Sequence, residues 1–257
     1  MKTSHLHFNT SIGVQKPESI RNKQQACPFC AREELTNLIE VDGPIILLKN
    51  KYPVLENAYQ TVLIETDDCH GELSNYELPH LHRLLQFAIR NWLELDKTGK
   101  YESVILFKNH GPLSGGTIAH PHMQIIGLNN INYQDNIAEE VFQGITIEEK
   151  DEVRITLSTK PKVGFYEFNI DMDDSCYHET FGVNLQKVVD YILNNFPFKA
   201  SSYNLFFYHY NRRIYVKIVP RFVTTPLYIG YEIPQVPDNL QWMADDIKSK
   251  YFTSGSS

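Results

Sequence analysis

Two aliphatic, β-branched runs, residues 103–108 and 123–128, flank a glycine-rich loop, Asn109-His110-Gly111-Pro112-Leu113-Ser114-Gly115-Gly116-Thr117. Runs of this kind read as strands, and strands joined by short turns read as antiparallel neighbours. Upstream, residues 44–48 and 61–66 are two further strand candidates. Between the pairs, Leu81, Leu85, Ala88, Trp92 and Leu95 recur at helical spacing until Lys97-Thr98-Gly99 closes the pattern. The order is strand, helix, strand, glycine loop, strand. It returns after an acidic, weakly patterned connection at about residues 130–152. Residues 164–170 form a strand there, Leu185, Val188, Val189, Ile192 and Phe196 mark a helix, and residues 203–208 and 213–219 give two more strands. A last helix, with Leu240, Met243, Ile247 and Tyr251 on one face, precedes a Ser/Gly tail. Strands with helices set between them predict an α+β fold with antiparallel sheet and a weak internal duplication, residues 1–130 against 131–257.

Composition removes several function classes. The formal net charge is -7, with no Lys/Arg-rich run, which argues against a general nucleic-acid binder. No stretch approaches the roughly 18 apolar residues that span a bilayer, and the polar N-terminus has no signal-peptide core. Residues 1–26 read as an extended polar arm. Four cysteines are too few for a disulfide framework, and two of them form Cys27-Pro28-Phe29-Cys30, a metal or redox motif in a cytoplasmic chain.

The chemistry concentrates in His120-Pro121-His122-Met123-Gln124. His120, His122 and Gln124 alternate at period two on a strand, so one face receives two imidazoles and an amide. An imidazole can attack phosphorus and form a phosphoramidate, while a glycine-rich turn offers N–H groups and a hydroxyl to phosphate oxygens. Together they describe a nucleotidyl-transfer site; the plainer alternative is a histidine pair that merely caps a strand.

The string HPHMQ, preceded by N-x-G-x-x-x-G-G-T, resembles the active-site signature of the galactose-1-phosphate uridylyltransferase branch of the histidine-triad (HIT-like) superfamily, which also contains ADP-glucose phosphorylases and dinucleoside tetraphosphate phosphorylases. The resemblance covers most of the chain, with the specific motifs in residues 27–128. It implies a HIT-like antiparallel sheet with flanking helices in two pseudo-repeated halves, the second degenerate. It also implies that His122 is the nucleophile attacking the nucleotide α-phosphorus. Gln124 stands where hydrolytic members have a third histidine. An amide holds a phosphate oxygen but exchanges no proton at neutral pH, which favours transfer over hydrolysis. The same resemblance gives Zn²⁺ the ligands Cys27, Cys30, His70 and His120, with Cys69 as a competitor for the place of His70. Asn50 matches the asparagine turn that contacts ribose and base, Asn109 the asparagine near the phosphates, and Thr117 a phosphate-binding serine. The backbone of Ser114, Gly115 and Gly116 would meet the equatorial oxygens. Tyr231 and Glu232 match, weakly, a hexose-phosphate segment that often works across a dimer interface, so a homodimer is admitted.

Two departures limit the assignment. The strand echoing HPHMQ reads Arg213-Ile214-Tyr215-Val216-Lys217, which cannot supply two imidazoles to a second metal, and Pro226 stands where a phosphate-binding lysine is expected. Galactose metabolism is thereby weakened, whereas the covalent chemistry, confined to the first half, is not. The expectation is a zinc-containing nucleotidyltransferase that moves UMP or AMP between a nucleotide sugar or dinucleotide and a phosphate-bearing acceptor. Its alternatives are a dinucleoside polyphosphate or ADP-sugar phosphorylase or hydrolase, and a non-catalytic nucleotide-binding protein.

Overall fold

Aliphatic residues build the first sheet, and a two-residue turn, Gly43-Pro44, joins its first two strands. In the computed structural model, which describes residues 5–20, 22, 24 and 26–252, the strands β1 (Leu38–Asp42), β2 (Ile45–Lys49) and β3 (Ala58–Ile64) follow a single helical turn, α1 (Thr10–Gly13). Helix α2 (Leu78–Lys97) comes next, then β4 (Ser103–His110) and β5 (His122–Leu128). All pairings are antiparallel, in the order β1-β2-β3-β5-β4. Leu81, Leu84, Leu85, Ala88 and Trp92 of α2 are buried, and the Trp92 indole donates to the Val104 carbonyl at 2.8 Å.

These elements belong to one compact unit, Met1–Glu72 with Pro79–Asn136; Leu73–Leu78 with Ile137–Ser257 forms the other. The second unit contains β6 (Gly144–Lys150), β7 (Val153–Ser158), β8 (Phe168–Asp173), α3 (Glu179–Asp190), β9 (Tyr203–Tyr210), β10 (Arg213–Pro220), α4 (Pro226–Tyr231) and α5 (Leu240–Tyr251). Its antiparallel order, β6-β7-β8-β10-β9, repeats that of the first unit strand for strand. The fold is therefore α+β, with an antiparallel sheet duplicated in two halves.

Several elements depart from the sequence expectation, which has no strand at β1 or β7 and no helix at α4. The connection at 130–152 contains β6, whose hairpin to β7 turns on Asp151 and Glu152, both left-handed (φ +52° and +62°), in place of the usual Asn or Gly. The strand expected at 164–170 starts only at Phe168, because Gly164 (φ +139°) and Phe165 (φ +60°) make a turn. The N-terminal arm is not wholly extended: the Asn9 side chain accepts from the Ile12 amide and caps α1. The Ser/Gly tail beyond residue 252 lies outside the described residues. Among the described residues, no helix is long and apolar enough to cross a membrane.

In β10 the position matching the motif is filled by a buried ion pair. Lys217 Nζ lies 2.9 Å from the Glu167 carboxylate and donates to the Val141 carbonyl at 2.8 Å. Glu167 in turn accepts from the backbone of Lys162 and Val163, so this part of the second unit is packed core.

Candidate active site and metal centre

Strand β5 aims the motif. His122 pairs with Ile64 and Gln124 with Val62, and those residues pair in turn with Ile46 and Leu48 of β2, so all six side chains share one sheet face. There Ile46, Leu48, Val62 and Ile64 form an apolar cluster with Phe29. Phe29, the aromatic of the Cys-Pro-Phe-Cys turn, sets its ring edge-on to both imidazoles, at 5.8 Å from His120 and 5.6 Å from His122. The cysteine knuckle and strand β5 therefore pack together.

Each imidazole gives one nitrogen to a carbonyl, and a carbonyl only accepts. His122 Nδ1 lies 2.8 Å from the His120 carbonyl, so Nδ1 carries the proton and Nε2 the lone pair. Burial pushes this ring down to about 4, against the opposing pull of that hydrogen bond, so His122 is neutral at pH 7. His120 Nε2 lies 2.9 Å from the Thr66 carbonyl, which leaves its Nδ1 lone pair towards the sulfurs, 3.5 Å from Cys27 Sγ and 3.7 Å from Cys30 Sγ.

Cys27, Cys30, Cys69 and His120 bring four ligand atoms within 4.8 Å of one another. In tetrahedral coordination with metal–sulfur bonds of about 2.3 Å and metal–nitrogen bonds of about 2.0 Å, the S···N edge is roughly 3.5 Å, close to both distances. Burial, then hydrogen bonding and charge repulsion from the neighbouring sulfurs, pushes the Cys69 thiol up to about 12, so a cation is needed to hold it as the thiolate near neutral pH. The donor set thus fits a tetrahedral metal ion. His70, expected as the fourth ligand, is replaced by its neighbour. Its amide donates to Asp68 Oδ1 at 2.9 Å and that of Gly71 to the Asp68 carbonyl, making a turn that leaves the His70 side chain exposed and puts Cys69 into the set.

A cavity of about 350 Å³ opens beside His122. Asn50, Asn109, Gly115, Gly116, Thr117 and Gln124 are among the residues that line it. Asn50 Oδ1 accepts from the Tyr52 amide at 2.9 Å, so its carbonyl side closes a turn. Ser114 does not reach the cavity wall. Its hydroxyl donates to the Gly111 carbonyl at 2.7 Å and accepts from the Gly116 amide at 3.3 Å, which shapes the loop and occupies that amide. Gly115, at φ +85°, sits where a side chain is strained. Tyr231 and Glu232 are in the other unit, exposed at the end of α4.

The cavity wall also holds residues not singled out from the sequence, a half-buried lysine among them. Lys16 enters from the N-terminal arm, half-buried, with no carboxylate among the described residues paired to it. Burial holds its ammonium below the usual lysine range, and its charge bears on His122. The arm is held over the glycine loop by Ile20 N donating to the Thr117 carbonyl at 3.1 Å and Ala119 N to Ser19 Oγ at 2.9 Å. A lone lysine in a polar arm carries no pattern that spacing could have revealed.

Residues 8–131 match the N-terminal domain, and residues 134–252 the C-terminal domain, of the domain of unknown function DUF4931. The crystal structure of a DUF4931 family protein from Bacillus cereus ATCC 10987 is 44% identical, with a TM-score of 0.77 over 84% of this chain and 100% of that one. The chain belongs to the DUF4931 family. Its fold is that of the uridylyltransferase-like branch. A uridylyltransferase superposes with a TM-score of 0.69 at 14% identity, over 88% of this chain and 91% of that one. An ADP-glucose phosphorylase from Arabidopsis thaliana, solved with ADP-glucose bound, gives 0.70 at 13%, over 95% and 98%. At these identities the likeness is one of fold. Protein APA1 of Saccharomyces cerevisiae (strain ATCC 204508 / S288c) is 26% identical over 232 residues, 81% of this DUF4931 chain; the chain spans 65% of that relative's length.

Proposed function

We propose that the chain is a nucleotidyltransferase working by double displacement, with His122 Nε2 as nucleophile and UMP or AMP as the group moved between a nucleotide sugar, or dinucleotide, and a phosphate-bearing acceptor. The observation that carries this reading is the fixed tautomer: a neutral ring at the cavity wall, its Nδ1–H given to the His120 carbonyl, keeps its Nε2 lone pair for phosphorus. Nε2 attacks the α-phosphorus, the N–P bond forms, and the bond to the bridging oxygen breaks as the sugar phosphate leaves. An acceptor phosphate oxygen then attacks the same phosphorus and the electron pair returns to Nε2. Lys16, the Thr117 hydroxyl and the Gln124 amide stabilise the equatorial oxygens, and Asn50 and Asn109 orient the nucleoside and its phosphate.

Zinc is the ion this reading assigns to Cys27, Cys30, Cys69 and His120. Bound there, it would neutralise the thiolates and fix the knuckle against the catalytic strand, a structural service. The cytoplasm is the compartment assigned, since such ligands must stay reduced.

An acceptor that is already an oxyanion needs no base, and Gln124 offers none, so phosphates are preferred to water. Gln124→His is expected to raise the share of donor lost to hydrolysis about tenfold, read by incorporation of labelled water. Lys16→Met is expected to slow transfer by roughly 10²-fold with the fold intact, the cost of removing one cation from a developing phosphate charge. The test of the scheme is isotope exchange. Labelled glucose 1-phosphate should enter UDP-glucose or ADP-glucose with no second acceptor present, as a covalent intermediate requires. Turnover without such exchange would rule double displacement out.

A further inference from the structure

The mechanism above leaves unused a buried charge pair beneath the catalytic strand. Glu65, immediately after β3, is 0% exposed, and Lys108, in β4, is 2% exposed; their carboxylate and ammonium are in direct contact. Since β5 lies between β3 and β4, the pair bridges the two neighbours of the strand carrying His122. Lys108 is in register with Met123, and Met123 with Leu63, so these side chains and Glu65 point to the face opposite His122 and Gln124. The pair therefore lies behind the reacting face.

Its backbone reaches through to that face. Glu65 N donates to the Pro121 carbonyl at 3.1 Å, and the next carbonyl, that of Thr66, accepts from His120 Nε2 at 2.9 Å. The His120 carbonyl then accepts from His122 Nδ1 at 2.8 Å. Residues 65 and 66 thus hold His-Pro-His at Pro121 and His120, and His120 sets the tautomer of His122. A dry ion pair is a costly way to staple two strands, because both charges are desolvated and an apolar pair of similar size often holds a fold as well. Keeping one here is explained by what it fixes.

We infer that Glu65 and Lys108 are positioning residues for the transfer reaction, holding the end of β3 so that His122 presents Nε2 in one orientation and one tautomer. The inference rests on the transfer reading above. Misplacing a reacting atom by about 1 Å can cost on the order of 10²-fold in rate, whereas donor binding, made by the cavity wall, does not depend on that placement.

The test is the full-length, zinc-loaded double variant Glu65→Met/Lys108→Met, which removes the pair without stranding a buried charge. At saturating UDP-glucose or ADP-glucose, covalent adduct should form at least about tenfold more slowly than in the wild type. Donor affinity, measured on a His122→Ala background, and zinc content should be unchanged. Long-range ¹H–¹⁵N spectra of the histidine rings should show His122 as a single Nδ1–H tautomer in the wild type and as a mixture in the variant. Adduct formation at the wild-type rate, or an unchanged single tautomer, would overturn the inference. If the double variant does not fold, Glu65→Gln decides by the same readings. A wild-type chain that forms no adduct would defeat the transfer reading, and the tautomer spectra would then decide the positioning claim alone.

Discussion

His122→Ala is expected to reduce nucleotidyl transfer by about 10⁴-fold or more and to abolish the covalent adduct, while zinc content stays at the wild-type level. The two effects separate because the ring belongs to the cavity wall and not to the donor set: Nδ1 is committed to the His120 carbonyl, and the metal-facing nitrogen is that of His120. Truncation leaves a void beside Phe29, whose ring packs edge-on to the lost imidazole, so a loss of about 1 kcal/mol in stability is expected. Steady-state assay, intact mass and metal analysis on one preparation check all three quantities. Substantial residual turnover would remove His122 from the chemistry.

The second large effect separates two neighbours in the chain. Cys69→Ser is expected to lose most of the bound zinc and about 3 kcal/mol or more of stability, roughly 10 °C in Tm, because the metal's binding free energy contributes to folding. His70→Ala is expected to keep its zinc and its Tm. Cys69 lies in the cluster of ligand atoms, while the side chain of His70 is exposed beyond the Asp68 turn. Zinc retained in the serine variant and lost in the alanine variant would reverse the ligand assignment. Chelation of the wild type should match the Cys69→Ser result in thermal unfolding.

Much of the first unit could be read from the sequence because local and global signals agree there. The helix from Leu78 to Lys97 has a continuous apolar stripe, and His120, His122 and Gln124 repeat at period two as the chain enters β5, so strand and candidate site are one pattern. What stayed hidden depends on tertiary detail. The β6–β7 hairpin turns on Asp151 and Glu152, which reach positive φ without the Asn or Gly that marks such turns. Strand β1 exposes Leu38, Ile39 and Val41, so its burial pattern has no clean alternation. The exchange of His70 for Cys69 turns on one residue in a tight turn, below the reach of spacing. Lys16, Glu65 and Lys108 are single charges whose significance comes only from what they meet in space.

The covalent intermediate is tested most directly by intact-protein mass spectrometry after incubation with UDP-glucose, ADP-glucose or diadenosine tetraphosphate in phosphate-free buffer. The wild type should gain the mass of one UMP or one AMP, which also names the base, and His122→Ala should gain nothing. Turnover of any of these donors by a folded, zinc-loaded wild type that never carries the adduct, or an adduct that persists in His122→Ala, would contradict the assignment of His122 as nucleophile.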